Sequence, residues 1–173
     1  MQKKRLNDGV NLKDIILGGQ DGLVNVLGVI LGVAAATSDS RIVIIAGLSA
    51  TFAESISMAA VAYTSSKAAR DYYKSLKKYS EEYKNPLKDA FIVGFAAIIG
   101  SIIPLLPFFF LTINQGIITS FILSIIALFF VGAYQGKITN KSWKKSGLEL
   151  ALIGILAAVV SYFIGDLLGR LIM

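Results

Sequence analysis

The stretch Ile15–Ala36, IILGGQDGLVNVLGVILGVAAA, decides the fold class of this chain. A helix that crosses the hydrocarbon core of a bilayer needs about 20 mainly apolar residues, and this stretch supplies them. One of its residues, Asp21, is nevertheless a carboxylic acid. An ionisable group inside a bilayer costs a few kcal/mol or more, so Asp21 is a candidate functional residue on a predicted membrane-spanning helix.

The whole chain has the composition of a membrane protein. Apolar residues make up 55% of it and charged residues 16%, whereas soluble domains carry about 25% charged residues. Five segments are long and apolar enough to span, which predicts an all-α integral membrane protein with one transmembrane domain. The predicted helices lie at about 15–36, 41–66, 90–111, 116–136 and 147–168, and a short basic connector covers 67–89.

Lysines and arginines predict the orientation of these helices. Of the 17 in the chain, all but Arg41 and Arg170 precede the first helix or lie in the connections between helices two and three and between helices four and five. With five spans these three segments share one face, which the positive-inside rule makes cytoplasmic. The N-terminus is therefore expected in the cytosol. Because the basic residues flank apolar spans, a nucleic-acid-binding surface is not expected.

Prolines and capping residues mark the joints of the predicted helices. Asn85-Pro86 interrupts the chain before the third helix, and Ser146 followed by Glu149 matches a capping box that predicts the start of the fifth. Pro104 and Pro107 are expected to kink or locally open the third helix, for packing rather than for gating.

Glycines on the first helix predict close packing of that helix against its neighbours. Gly18 and Gly22 form one GxxxG spacing, and Gly28 and Gly32 form a second. Small residues at this spacing let two helix backbones approach each other in a membrane.

The residue types that are missing exclude several classes of function. The chain contains no cysteine and no histidine. It therefore has no disulfide and no thiolate or histidine metal site, and it lacks histidine, the commonest general base. No nucleotide-binding fingerprint and no nucleophile with a supporting base is present. The chain is therefore expected to be a secondary transporter rather than an enzyme, with no resident cofactor.

Polar residues on the first two helices form the candidate site. Asn25 follows Asp21 by one turn, and Met58 follows Glu54 by one turn, so each pair shares a helix face. Counting from the turn that joins the two antiparallel helices places Asp21 and Met58 at similar depth. Glu54 is expected about one turn nearer the outside. The acids Glu149 and Asp166 lie near helix ends, where solvation or capping explains them.

The donor types constrain the ion that such a site would take. Carboxylates suit magnesium, calcium and manganese, whereas a thioether favours softer metals. A mixed site predicts iron(II) or manganese(II), with cobalt, nickel and zinc left open. Met58 fits the alternative of core filler equally well from spacing alone. Because protons and cations compete for the same carboxylate oxygens, proton antiport is the expected driving mechanism.

At these residues the chain resembles the vacuolar iron transporter family. The resemblance rests on QDGLVN at Gln20–Asn25 in the first helix and on ISM at Ile56–Met58 in the second. Further matching segments follow in order along most of the chain: Ala46–Leu48, Ala62-Tyr63, Ser66-Lys67, Pro104–Phe108, Gly132–Tyr134, Ser142-Trp143 and Ser146-Gly147.

The resemblance implies a five-helix protomer that forms a homodimer, with the ion path between the two first helices. It implies export of iron(II) or manganese(II) from the cytosol in exchange for protons. The transmembrane metal residues of the family, an aspartate in the first helix and a methionine in the second, correspond here to Asp21 and Met58.

Two departures from the family pattern bear on the metal. Iron-transporting members carry a glutamate-rich cytosolic helical domain between the second and third helices, whereas this chain has only the short connector 67–89, with Asp71, Glu81 and Glu82. That connector is lysine-rich and amphipathic, so it is expected to extend the second helix along the lipid surface. The family often has a glutamate two turns before the methionine, where this chain has Ala50, and its own acid is Glu54.

Two alternatives to an exporter stay open from the sequence. One is a passive divalent-cation channel that uses the same acids, and the other is a non-transporting membrane protein whose acids pair with neighbouring helices. All three are multi-pass proteins, expected in the cell membrane of a prokaryote or an organelle membrane of a eukaryote.

Overall fold

A computed structural model describes residues 2–37, 39–76 and 85–172, with the backbone alone for residues 2–10 and 172. In these ranges the chain is helical throughout, with short joints. The helices are α1 (Gln2–Ala36), α2 (Ser40–Ser75), α3 (Pro86–Leu105), a 3₁₀ turn (Leu106–Phe109), α4 (Ile113–Ile138) and α5 (Trp143–Ile172).

Five of these helices are long and apolar enough to cross a membrane, which confirms the predicted number of spans. The chain is thus a multi-pass integral membrane protein. Since short joints make successive helices antiparallel, α1, α3 and α5 run in one direction and α2 and α4 in the other. The start of α1, the ends of α2 and α4 and the starts of α3 and α5 therefore meet at one end of the bundle, here called the lysine-rich end.

The helices continue beyond the predicted spans at the lysine-rich end. α1 begins at Gln2 rather than near residue 15, and α2 runs to Ser75 rather than to residue 66. The 36 residues of α2 extend about 54 Å, against a hydrocarbon core of about 30 Å. The expected helical extension of α2 is thus confirmed as far as Ser75. Residues 77–84 of the connector, with Glu81 and Glu82, lie outside the described residues.

α1 lies at the centre of the bundle. It packs against α3 on one side and α5 on the other, while α2 packs on α3 and α1, and α4 packs on α5. The core around α1 consists of aliphatic side chains that are almost fully buried, among them Leu23, Val26, Leu27 and Ile30.

The two GxxxG spacings of α1 contact different helices, which confirms their predicted role in close packing. A Cβ on Gly18 or Gly22 would collide with the backbone of α3, at Val93 and Ala97 respectively. A Cβ on Gly28 would lie 2.9 Å from the Ser161 hydroxyl, and one on Gly32 would lie 3.1 Å from the Ser161 carbonyl oxygen, both on α5.

At the prolines the α-helical hydrogen bonding of α3 gives way to a 3₁₀ turn, as expected for a locally opened helix. The α-helix stops at Leu105, one residue after Pro104, and Pro107 lies in the 3₁₀ turn that follows. A second proline three residues after the first removes another backbone donor, so the α-helical hydrogen bonding is not resumed. Ser120 on α4 donates a hydrogen bond of 2.6 Å to the Pro104 carbonyl oxygen.

Asn85 and Pro86 start α3 as predicted, whereas the start of α5 differs from the prediction. The Asn85 side chain accepts a hydrogen bond from the backbone N–H of Lys88. α5 begins at Trp143, and Ser146 already donates its backbone N–H to the carbonyl oxygen of Ser142. Ser146 is therefore inside the first turn and does not act as the cap of a capping box.

Candidate functional site

Three of the predicted site residues meet where α1 crosses α2. The carboxyl of Glu54 lies within hydrogen-bonding reach of the Asp21 carboxyl and of the Asn25 amide. Two turns before Glu54 in α2, Gly47 packs against Ile30 of α1. The two antiparallel helices therefore keep the same register from the Glu54 contact to this one. Two acids and an amide from adjacent helices thus form one polar cluster, here called the carboxylate cluster, within the apolar spans.

Helix α3 holds both acids of the carboxylate cluster in place through their sequence neighbours. Ser101 on α3 donates a hydrogen bond of 3.1 Å to the carbonyl oxygen of Gly22, the residue after Asp21. Ser55, the residue after Glu54, donates a hydrogen bond of 2.9 Å to the carbonyl oxygen of Gly94 on α3. Because these hydroxyls are buried, each bond fixes the rotation of its helix and thereby the direction of the neighbouring acid.

Ser101 was missed by the sequence analysis, although a signal for it exists. It is the single hydroxyl side chain of the apolar helix α3, in its last third, and it is completely buried. Hydroxyl side chains in membrane spans commonly hydrogen bond across helices, so an isolated serine of this kind marks a helix contact.

The carboxylate cluster lies at the surface of the single chain rather than in its core. Asp21 and Glu54 are half-buried, and Asn25 is exposed. An exposed amide and two accessible acids on membrane-spanning helices are costly against lipid, so this surface requires water, a cation or another protein surface. The face therefore has the polarity of an ion-binding site that is open on one side.

Met58 belongs to the same face by its position in α2. It follows Glu54 by one turn in the direction of the lysine-rich end and is half-buried. The contacts described above join Asp21, Asn25 and Glu54, and Met58 adds a thioether beside them by helix register. Asn25 and Met58 would bring one amide oxygen and one sulfur to a site centred on the two acids.

The described residues of a single chain would supply only part of a metal-binding shell. Within residues 2–37, 39–76 and 85–172, no group of three or more acidic, histidine or cysteine side chains is close enough to hold a metal ion. Octahedral oxygen coordination is typical of manganese and magnesium. The carboxylate cluster therefore needs further donors from water or from a second chain to complete such a shell.

The remaining acids of the described spans lie away from the cluster. Asp166 forms an ion pair of 2.9 Å with Arg170 near the end of α5, and Glu149 is exposed near its start, as predicted. Asp14 and Asp89 are buried where α1 and α3 meet at the lysine-rich end.

A groove leads from the carboxylate cluster towards the opposite end of the bundle. It lies between α1 and α5, has a volume of about 600 Å³ and contains Asn25 at one end and Ala36 and Leu168 at the other. Ser161 contributes a hydroxyl about midway. The cluster is thus connected to the far end along a groove whose lining includes Gly28 and Gly32 of α1.

The sequence of the chain matches the VIT family over residues 12–82 and 75–166. Vacuolar iron transporter 1 of Eucalyptus grandis is 25% identical over 211 aligned residues, which cover 89% of this chain and 85% of the relative. An uncharacterized protein of Methanocaldococcus jannaschii is 27% identical over 174 residues, which cover 92% of this chain and 91% of that protein. The vacuolar iron transporter of Plasmodium falciparum is 40% identical over 74 residues, 43% of this chain.

The lengths of these matches show that this chain is a short relative of the plant proteins. The alignment with the Eucalyptus protein is longer than the whole chain of 173 residues, so that relative has residues without a counterpart here. The two segments that match the family overlap at residues 75–82, in the connector after α2. With a match that covers most of its length, five spanning helices and the QDGLVN segment on α1, the chain belongs to the VIT family.

Proposed function

We propose that this protein exports a divalent metal ion, iron(II) or manganese(II), from the cytosol in exchange for protons. The observation that carries the proposal is the carboxylate cluster, in which Glu54 lies within reach of both Asp21 and Asn25. Relatives that cover most of the chain are named vacuolar iron transporters, which supports iron(II) as the cargo. The metal is the transported substrate, and the proposal includes no resident cofactor.

The closeness of the two acids supports coupling between metal and proton. Two carboxylates at hydrogen-bonding distance repel each other when both are ionised, so a proton or a cation must lie between them. Metal entering the cluster displaces the proton, and a proton entering from the other side displaces the metal. Asp21 and Glu54 would thus hold either protons or the metal, and two protons neutralise the same charge in the membrane as one divalent ion.

A homodimer would complete the donor set of the site. The cluster is open on the side of Asn25, and a two-fold axis beside α1 would bring the same residues from a second copy to that side. Two copies would offer four carboxylates, two amides and two thioethers around one path. The exposed polar surface would then face the partner and the ion instead of lipid.

The proposed orientation of the protein in the membrane rests on its charges. The lysine-rich end is placed in the cytosol by the positive-inside rule. The groove from Asn25 along α1 and α5 would then lead from the cluster to the far side. The host membrane is proposed to be the cell membrane in a prokaryote or an organelle membrane in a eukaryote.

Metal uptake by purified protein in liposomes tests the proposal. Uptake of iron(II) and manganese(II) is measured with and without a pH gradient for the wild type, Asp21→Ala and Asp21→Asn. We expect saturable uptake that increases with an opposing proton gradient and is lost in both variants. Asp166→Asn removes an acid of the same kind near a helix end and is expected to transport normally.

Other outcomes identify the competing functions. Uptake that does not saturate with metal concentration and does not depend on the pH gradient would indicate a passive channel and contradict the exchange mechanism. Loss of folded protein in Asp21→Asn, measured by size-exclusion chromatography, would assign Asp21 a structural role.

A further inference from the structure

A second groove on α1 lies on the side away from the carboxylate cluster, between α1, α3 and α4. Its volume is about 820 Å³, within the range of small-molecule sites in proteins. The lining is almost entirely apolar and includes exposed aromatic rings from α3 and α4, Phe91, Phe95 and Phe130. Since these helices cross the membrane, the open side of the groove faces the acyl-chain region of a bilayer.

The apolar groove adjoins a smaller cavity at the lysine-rich end, which is also mainly apolar but contains several polar side chains. This cavity has a volume of about 490 Å³ and shares Leu12, Ile16 and Gln20 with the groove. Its other lining residues include Lys13 on α1 and Gln135 and Thr139 at the end of α4. At the lysine-rich end the largely apolar lining thus includes hydrogen-bonding groups and an ammonium group.

This arrangement is complementary to an anionic phospholipid. An acyl chain matches the apolar groove, while a phosphate-containing headgroup matches Lys13, Gln20, Gln135 and Thr139. The last turn of α4 adds Lys137 at the same end of the bundle. Basic residues near a membrane surface attract anionic lipids in preference to zwitterionic ones.

We propose that the α1–α3–α4 groove is a binding site for an anionic phospholipid of the leaflet at the lysine-rich end. The headgroup is bound beside Lys13, and one acyl chain lies along Gly19 and the phenylalanines of α3. The groove and the carboxylate cluster lie on different sides of α1, since Gln20 lines the groove and Asp21 contacts Glu54. A lipid in this groove would therefore contact α1 on a different face from the ion path.

The test is to count the lipids that the full-length protein retains. The protein is reconstituted in an equimolar mixture of phosphatidylglycerol and phosphatidylcholine, extracted in mild detergent and analysed by native mass spectrometry. We expect the wild type to retain phosphatidylglycerol about fivefold over phosphatidylcholine, the preference that one basic residue near a membrane surface provides. Lys13→Gln is expected to abolish the preference, whereas Lys74→Gln, at an exposed lysine of α2, is expected to leave it intact.

A second pair of variants tests the acyl-chain part of the site. A Cβ on Gly19 would have 3.7 Å to its nearest neighbour, the Ala96 carbonyl oxygen, so Gly19→Leu can enter the groove without a backbone collision. It is expected to reduce retention of both lipids, whereas Thr119→Leu, at an exposed position of α4, is expected to have no effect. Size-exclusion profiles and helix content confirm that all variants are folded.

Three results would overturn the proposal. The first is equal retention of the two lipids by the wild type, and the second is an equal loss of preference in Lys13→Gln and Lys74→Gln. The third concerns a second copy of the chain as the occupant. The sequence contains no cysteine, so disulfide-linked dimers of Phe95→Cys in liposomes would show that another protomer covers the groove.

Discussion

Ser101 on α3 donates a hydrogen bond of 3.1 Å to the carbonyl oxygen of Gly22 on α1, immediately after Asp21. The same two helices are in backbone contact at this level, because a Cβ on Gly22 would collide with the Ala97 carbonyl oxygen and lie 2.8 Å from the Ser101 hydroxyl oxygen. The position of Asp21 is therefore set by the contact between α1 and α3.

Gly22→Ala is predicted to destabilise the protein and to reduce transport together. The added methyl group must push α1 away from α3, and overpacking of this kind costs about 1–3 kcal/mol. Because Asp21 moves with α1, metal uptake is expected to fall as well. The measurements are thermal unfolding in detergent and metal uptake in liposomes.

Gly19→Ala is the matched control for this change. Its Cβ would make an ordinary contact of 3.7 Å with the Ala96 carbonyl oxygen. Near-wild-type stability and uptake are expected. Equal behaviour of Gly19→Ala and Gly22→Ala would mean that the close contact at Gly22 is not what positions α1.

The number of spans was predictable from the sequence, whereas the helix ends were not. Apolar length identifies residues that lie in lipid, but α1 and α2 continue through polar residues towards Gln2 and Ser75, where apolar length carries no signal. The GxxxG spacings predicted close packing of α1. They did not predict that Gly22 contacts α3 while Gly32 contacts α5, because spacing does not identify the partner helix.

Ser120→Ala is predicted to destabilise the protein by about 0.6 kcal/mol and at most about 1.7 kcal/mol, the range measured for hydrogen bonds between membrane helices. The Ser120 hydroxyl is fully buried and donates to the Pro104 carbonyl oxygen at 2.6 Å. Its removal leaves that carbonyl without this donor at the point where α3 ends. Thermal or denaturant unfolding in detergent measures the loss.

Ser124, one turn further along α4, provides the comparison for Ser120. It is also fully buried, but its hydroxyl has no hydrogen-bond partner among the described residues. Ser124→Ala removes an unsatisfied polar group, so its stability is expected to equal or exceed that of the wild type. A larger loss in Ser124→Ala than in Ser120→Ala would contradict the assigned hydrogen bonding.

The acids of the carboxylate cluster could be identified as candidates from the sequence because a carboxylate in a membrane span is costly and therefore rare. Asp21 and Glu54 were identified in this way, and the structure places them within reach of each other. Ser101 and Ser55, which connect the acids to α3, carry no such penalty and were not assigned a role. Their function depends on which carbonyl lies opposite, and this is a property of the packed bundle.

Asp21→Asn and Glu54→Gln are predicted to act on one shared event, so their effects should not add. Each substitution keeps the size of the side chain and removes a charge that the metal requires. Uptake is expected to fall by at least about tenfold in each, since loss of even an outer-shell partner of a metal ligand costs that much. The double variant is expected to be little worse than either single variant, as for residues in direct contact.

Initial rates of metal uptake for the four proteins of this cycle provide the measurement. Asp39→Asn and Asp166→Asn, two acids outside the cluster, form a control cycle in which no effect on uptake is expected. If the losses in Asp21→Asn and Glu54→Gln multiplied, the two acids would act at separate steps of transport, and a single shared site would be excluded.

Met58→Leu is predicted to change the selectivity among metals more than the total rate of metal uptake. Leucine fills a similar volume, so the cost in stability should remain below about 1.5 kcal/mol, but it removes the thioether sulfur beside Glu54. Softer metals depend more on sulfur than manganese(II) does, so the ratio of iron(II) to manganese(II) uptake should fall. Ile56→Leu, at an exposed position two residues earlier, is the control. An unchanged ratio in Met58→Leu would assign Met58 to packing and leave the oxygen donors of Asp21, Glu54 and Asn25 to select the ion.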